Sequence, residues 1–230
     1  MVSVSTTFYP TAQLDSDVIL LSSDSVFFYV HSHILLKHSD NAFHSLLLSP
    51  SHDSIVDIQD SSAVLNIILH TIYELSCSHY SPSPSTLINA VTRLPYYGIH
   101  PKFYITPSSP LYALLLSYAP LYPIDLYALA ASFDLYDLAV SISPHLLSFP
   151  LSSLTDDMVE NMGPVYLKRL FFLHFGRIDA LKRVLLPPPL PHPPTESCDF
   201  GDQKKVTRAW ALASAYLAWD ARPGQFFTHF

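Results

Sequence analysis

The sequence predicts an α+β fold: a small sheet near its start, a helical cluster around it, and an all-α extension. Three observations carry this reading. Asp17–Ser22 and Val26–Val30 are apolar runs on either side of Ser23-Asp24-Ser25, the pattern of two strands about a tight turn. Ser54–Gln59 offers a third strand. Beyond Ser61 the apolar residues recur only at helical spacing.

The two hairpin strands are apolar at almost every position, which predicts burial on both faces. From His31 the period changes. Ile34 and Leu35, then Phe43, Leu46 and Leu47, fall at helical spacing, and Ser39-Asp40 divides them into two short helices. Ser61 is placed to cap a helix running to about Leu75. The polar residues Asn66, His70 and Glu74 form one narrow stripe on it, so neighbours should cover most of its sides. Ser76–Pro84 reads as a connector and Ser85–Ile99 as a further helix, stopped at Gly98 by a left-handed residue. An irregular insert, His100–Pro110, precedes two apolar helical faces. Leu126, Leu129, Ala130 and Phe133 make the first; Leu135, Leu138, Ala139, Ile142 and Leu146 make the second. Thr155-Asp156-Asp157 supplies a cap and two acids that complement a helix dipole. Leu186–Pro194 reads as a polyproline II linker, and Lys204–Asp220 as a closing helix whose Trp210, Leu217 and Trp219 should dock onto the helices before it.

Composition excludes several classes. The chain has 230 residues and 25.8 kDa, enough for a sizeable core with 49% apolar residues. A net charge of -7 argues against a nucleic-acid partner, because phosphate neutralisation needs clustered Lys and Arg. Phe103–Ile124 is uncharged and long enough to span a bilayer, but Pro107, Pro110, Pro120 and Pro123 would break its helix; no membrane partner is expected. Residues 1–14 have neither a basic start nor an apolar run, so an intracellular location, cytoplasm or nucleus, is expected. Twenty prolines against five isolated glycines cut the chain into short segments and leave no phosphate-cradling loop or nucleophile elbow.

Asp17-Val-Ile-Leu, Phe28-Tyr-Val-His31-Ser-His-Ile34-Leu35 and Ser39-x-x-x-Phe43 together resemble the signature of the BTB/POZ domain. Leu94-Pro-Tyr-Tyr97-Gly98-Ile99 is similar to that family's helix end, and Tyr127–Ala139 resembles the helical extension of many fungal members. The Ser-to-Phe interval is one residue longer here than in the family. The resemblance implies a BTB/POZ-like three-stranded sheet with a helical cluster over residues 15–118. It further implies a helical extension over 119–186, a Pro-rich linker over 187–202 and a last helix over 203–221. Functionally it implies a protein-interaction module that dimerises, with a client and a cullin-type ubiquitin-ligase scaffold as further partners. Two departures matter. Ser32 stands where repressor members carry a basic residue, and Leu48–Asp53 lacks the apolar-x-Glu motif of cullin-binding members. A structural dimer without a ligase link is the alternative, and a hydrolase-like enzyme a more distant one.

On this resemblance the interaction residues are Asp17, His31, Ile34, Leu36, Phe43, Leu47 and Leu48. Which of Ile34 or Leu36, and of Leu46 or Leu48, face the core stays open from sequence. His31, His33, His38 and His44 invite a metal reading, but carboxylate and thiol partners are missing nearby, so no metal and no cofactor is expected. Asp156-Asp157 reads as helix-start charge rather than an acid/base pair, and no enzyme activity is expected. Pro188-x-x-Pro191 reads as a stiff spacer rather than as a motif that docks in an aromatic groove.

Overall fold

The computed structural model describes residues 3–10, 16–48 and 54–220, the side chains of 54, 219 and 220 apart. It is α+β. The chain divides into two compact units, residues 1–142 and 143–230. That division falls later than the expected boundary after residue 118, so the helices up to Ile142 belong with the sheet.

In the first unit the sheet runs β1 (Ser3–Val4), β3 (Val26–Val30), β2 (Val18–Leu21) and β4 (Ser54–Asp57) in spatial order. β2 and β3 form the expected antiparallel hairpin, Val18 opposite Val30, and β4 lies parallel to β2 with Ile55 opposite Ile19. β1, parallel to β3, was not expected: two residues are too short to show a period. The sheet is covered on one face rather than two. Val18, Leu20, Phe28 and Val30 are buried, whereas Ile19, Leu21, Phe27 and Tyr29 stay half-buried on the other face.

Each end of the hairpin is tied to a helix start. The Asp17 carboxylate accepts a hydrogen bond from the Ser32 backbone N–H at 2.7 Å and another from its hydroxyl, which anchors α1 (Ser32–His38). The Asp24 carboxylate does the same for α2 (Ser62–Ile72), accepting the Ser62 N–H at 2.7 Å and its hydroxyl at 2.6 Å. Ser61, expected as the cap, makes no side-chain cap bond, because the turn aspartate already occupies that place. As expected, α2 is buried on most sides, and even its polar stripe contributes the buried His70.

The second helix expected after Ser39 does not form. Residues 39–48 are a compact turn in which Ala42, Phe43, His44 and Ser45 take φ of 53°, 53°, 57° and 62°. Left-handed backbone costs an L-residue roughly 1–2 kcal/mol. Local bonds hold it: Ser39 Oγ accepts the Phe43 N–H at 2.7 Å and donates to the Tyr97 carbonyl at 2.7 Å. Asn41 Oδ1 accepts the His44 N–H at 2.7 Å. Burial of Phe43 and Leu47 supplies the offsetting gain.

The prolines begin helices rather than merely breaking them. α3 (Pro84–Arg93), α4 (Pro101–Tyr104), α5 (Pro110–Tyr118) and α6 (Pro123–Ser132) all start on proline, where the missing N–H costs nothing. Ser83 and Ser109 cap two of them, accepting the N–H groups of Thr86 and Tyr112 at 3.1 and 3.2 Å. After a 3-10 turn at Leu94–Tyr97, Gly98 takes φ +71°, and a Cβ there would strike the side chains of Asp40 and Asn41. α7 (Tyr136–Ile142) completes this unit, with Leu126, Leu129, Leu138 and Ile142 buried as their spacing predicts.

The second unit comprises 3-10 turns at Ser143–Ser148 and Leu151–Ser153, then α8 (Asp156–Leu185) and α9 (Phe200–Asp220). Thr155 Oγ1 caps α8 from the Met158 N–H at 3.3 Å. Gly163, at φ +67° and ψ 171°, kinks the helix before Pro164. Met162, Tyr166, Leu170 and His174 form its buried stripe. α9 meets the end of α8 through the Trp210 indole N–H and the Ser214 hydroxyl, which donate to the Leu185 carbonyl at 2.8 and 3.0 Å. Trp210 and Leu217 are half-buried as the docking expectation requires, and the Trp219 side chain lies outside the described residues. Among the described residues no helix is long and apolar enough to cross a membrane.

Candidate functional site

The segment from Asp17 to Leu48 holds all seven expected interaction residues, and the structure divides them into two groups. Phe43 and Leu47 are corrected to core positions. Phe43 is fully buried, with its ring stacked on Tyr97 at 4.4 Å between centroids, and Leu47 is buried with it. The left-handed turn points them inward, so neither is available to a partner. Asp17 is a helix anchor. Burial pushes its carboxyl up, but the two hydrogen bonds from Ser32 outweigh this and hold it below the usual carboxylate range.

His31 joins α1 to α2. Its backbone N–H donates to the Tyr73 hydroxyl at 3.0 Å, and its Nδ1 shares a 2.9 Å hydrogen bond with that oxygen. Burial pushes the Tyr73 phenol up to about 12, so it stays a neutral hydroxyl across ordinary pH. His31 Nε2 is buried without a hydrogen-bond partner.

The outward group is Ile34, half-buried, with Leu36 at 40% and Leu48 at 70% exposure. Leu46 is exposed beside them in the chain. None of the four open alternatives faces the core: Leu36, Leu46 and Leu48 are exposed and Ile34 is half-buried, while Leu35, Phe43 and Leu47 point in. The loop 49–53, expected to carry a scaffold contact, lies outside the described residues.

Sequence reasoning missed a second apolar surface. The register places Tyr29, Ile19 and Ile55 in one row across β3, β2 and β4, on the face that the helices leave open. Ile55 is exposed on an edge strand. The signal was present in the two-sided apolarity of the hairpin, which reads equally as a strand buried on both faces.

The histidines have local occupations. His38 Nδ1 shares a 2.7 Å hydrogen bond with the Tyr104 hydroxyl, and His44 stacks on Tyr96 at 3.8 Å between centroids. Among the described residues no group of three or more His, Cys, Asp or Glu gathers to hold a metal ion. An open pocket of about 330 Å³ lies between the sheet edge and α2, lined by Val4, Val26, Phe28, Asn66, Cys77 and Tyr80 among others. Its lining carries no formal charge, and burial pushes the Cys77 thiol up, away from the reactive thiolate. The exposed leucines and the open sheet row support apolar contact. A search of family models finds no match to this chain, and a search of curated proteins finds none.

Proposed function

We propose that this chain is a protein-interaction and oligomerisation module, and that its first unit pairs with a second copy of itself. One observation carries the reading: α1 and the turn after it bury Leu35, Phe43 and Leu47 yet leave Leu36, Leu46 and Leu48 outside. Leucines on a short, otherwise well-packed stretch serve an apolar partner better than solvent. The antiparallel hairpin, the parallel strand beside it and the helices on one face are consistent with the BTB/POZ resemblance. That resemblance makes an adaptor of a cullin-type ubiquitin ligase the proposed wider role, with a client as third partner.

Two features temper the scaffold contact in a definite direction. The loop before β4 has no Glu, which removes one charge-assisted bond worth about 1.5–3 kcal/mol. Phe43 and Leu47 are buried and add nothing. The adaptor reading therefore expects weak scaffold binding, carried by Leu48 and its neighbours. Titration of the purified chain against a cullin N-terminal domain tests it. Micromolar binding lost in Leu48→Asp supports the adaptor role; no binding at any accessible concentration leaves a dimeric module without the ligase link.

A further inference from the structure

Beyond its kink, α8 shows two opposite faces. Tyr166, Leu170 and His174 form the buried one. On the other, Val165, Lys168, Phe172, Phe175, Asp179 and Lys182 follow one another at alternating steps of three and four residues, the spacing of a helix-pairing seam. Phe172 and Phe175 are 62% and 57% exposed at its middle, and Lys168 extends over the Phe172 ring at 5.6 Å. Two phenylalanines this open on a charged helix call for a covering surface.

The charges on the seam say which surface. Lys168 and Asp179 stand at equal distances on either side of a point between Leu173 and His174, as do Phe172 and Phe175. A second copy laid antiparallel about that point sets Phe172 against Phe175 of its partner and Lys168 against Asp179, twice over. Within one chain the two charges are eleven residues apart, about 16 Å along the helix, and cannot meet. Asp179 already holds Arg183 at 2.6 Å, so the partner's lysine would complete a three-charge cluster. A parallel arrangement would set like charges together instead.

We propose that α8 is a self-complementary docking surface on which a second copy of this chain lies antiparallel about a twofold axis at Leu173–His174. This interface is separate from the proposed leucine edge of the first unit. Six seam side chains per copy make it a modest contact, suited to reversible assembly.

The test uses the full chain in a Cys198→Ser background. Lys168→Cys and Asp179→Cys chains are mixed and mildly oxidised. The proposal expects the mixed 168–179 disulfide to dominate. Homodisulfides at 168 indicate parallel pairing and overturn it, as does an absence of cross-linking. Charge reversal gives a second readout by sedimentation. Lys168→Glu and Asp179→Lys each weaken association about tenfold, and the doubly reversed chain regains it. Failure of the double reversal to rescue, with helix content unchanged by circular dichroism, contradicts the antiparallel register. If the chain instead stays unassociated through α8 and floats with phosphatidylserine vesicles in a Phe172-dependent manner, the face takes lipid and the proposal is wrong. The cross-link does not depend on the leucine edge, so each interface can fail without the other.

Discussion

Phe43 lies stacked on Tyr97, the ring planes 24° apart, inside a turn that the chain enters through four left-handed residues. The pair joins the segment after α1 to the turn after α3, so a residue expected at an interface instead supports the core. Phe43→Ala is expected to destabilise the first unit by about 3–5 kcal/mol. Urea unfolding checks it. A loss under 1 kcal/mol would place Phe43 at the surface after all.

Tyr97 has a second tie: its hydroxyl donates to Asp60 Oδ2 at 2.5 Å, and the Arg93 Nε–H donates to the same oxygen at 3.0 Å. Burial, then the Asp60 carboxylate, pushes the Tyr97 phenol up and keeps it a donor. Tyr97→Phe preserves the stacking on Phe43 but leaves Asp60 one donor short. A loss of about 1–3 kcal/mol is expected, with no change in the assembled state by light scattering.

The hairpin anchors predict a paired effect. Asp24→Ala frees the start of α2 and Asp17→Ala the start of α1, each at about 1 kcal/mol. Both carboxyls are held below their usual range by the serine hydrogen bonds, against the opposing pull of burial. Their stabilisation is therefore fully present above the ordinary aspartate value near pH 3.9 and lost as pH falls below it. Acid unfolding of the two variants should show a shallower limb than the parent; an identical limb would remove both from the account.

His70 sets a different pH window. Burial, with His79 nearby, pushes its imidazole down, while the hydrogen bond from Nδ1 to the Asn66 carbonyl at 2.7 Å opposes this only in part. The folded chain keeps His70 neutral where the unfolded chain takes up a proton. Stability is thus full above about pH 6.5 and declines as pH falls toward the lower folded value. His38 and His174 are pushed down the same way, so the parent should lose stability between pH 7.5 and 5.5. His70→Leu should lose less over that interval, by urea midpoints. An equal loss would mean that His70 takes up its proton no less readily in the fold than in the unfolded chain.

Much of this architecture was legible in the chain. The hairpin, the buried helix α2, the Gly98 stop and the Thr155 cap follow from strand-like runs, period and capping chemistry. The turn at residues 42–45 was not, because Phe43, Leu46 and Leu47 at helical spacing read the same in a compact left-handed turn. Nor did period separate Phe43 and Leu47 from Leu36 and Leu48: where a segment is apolar on every side, only its packing partners decide which side chains are inside. Asp24 as the cap of α2 was hidden for a related reason, since the cap comes from a turn distant in sequence.

Binding of a second copy by the leucine edge of the first unit is read out by sedimentation of a chain whose α8 seam is blocked by Phe172→Asp and Phe175→Asp. A two-chain species is expected at tens of micromolar, reduced to a single chain by the further changes Leu36→Asp and Leu48→Asp. A single chain before those leucines are changed, or a two-chain species that survives them, would contradict it.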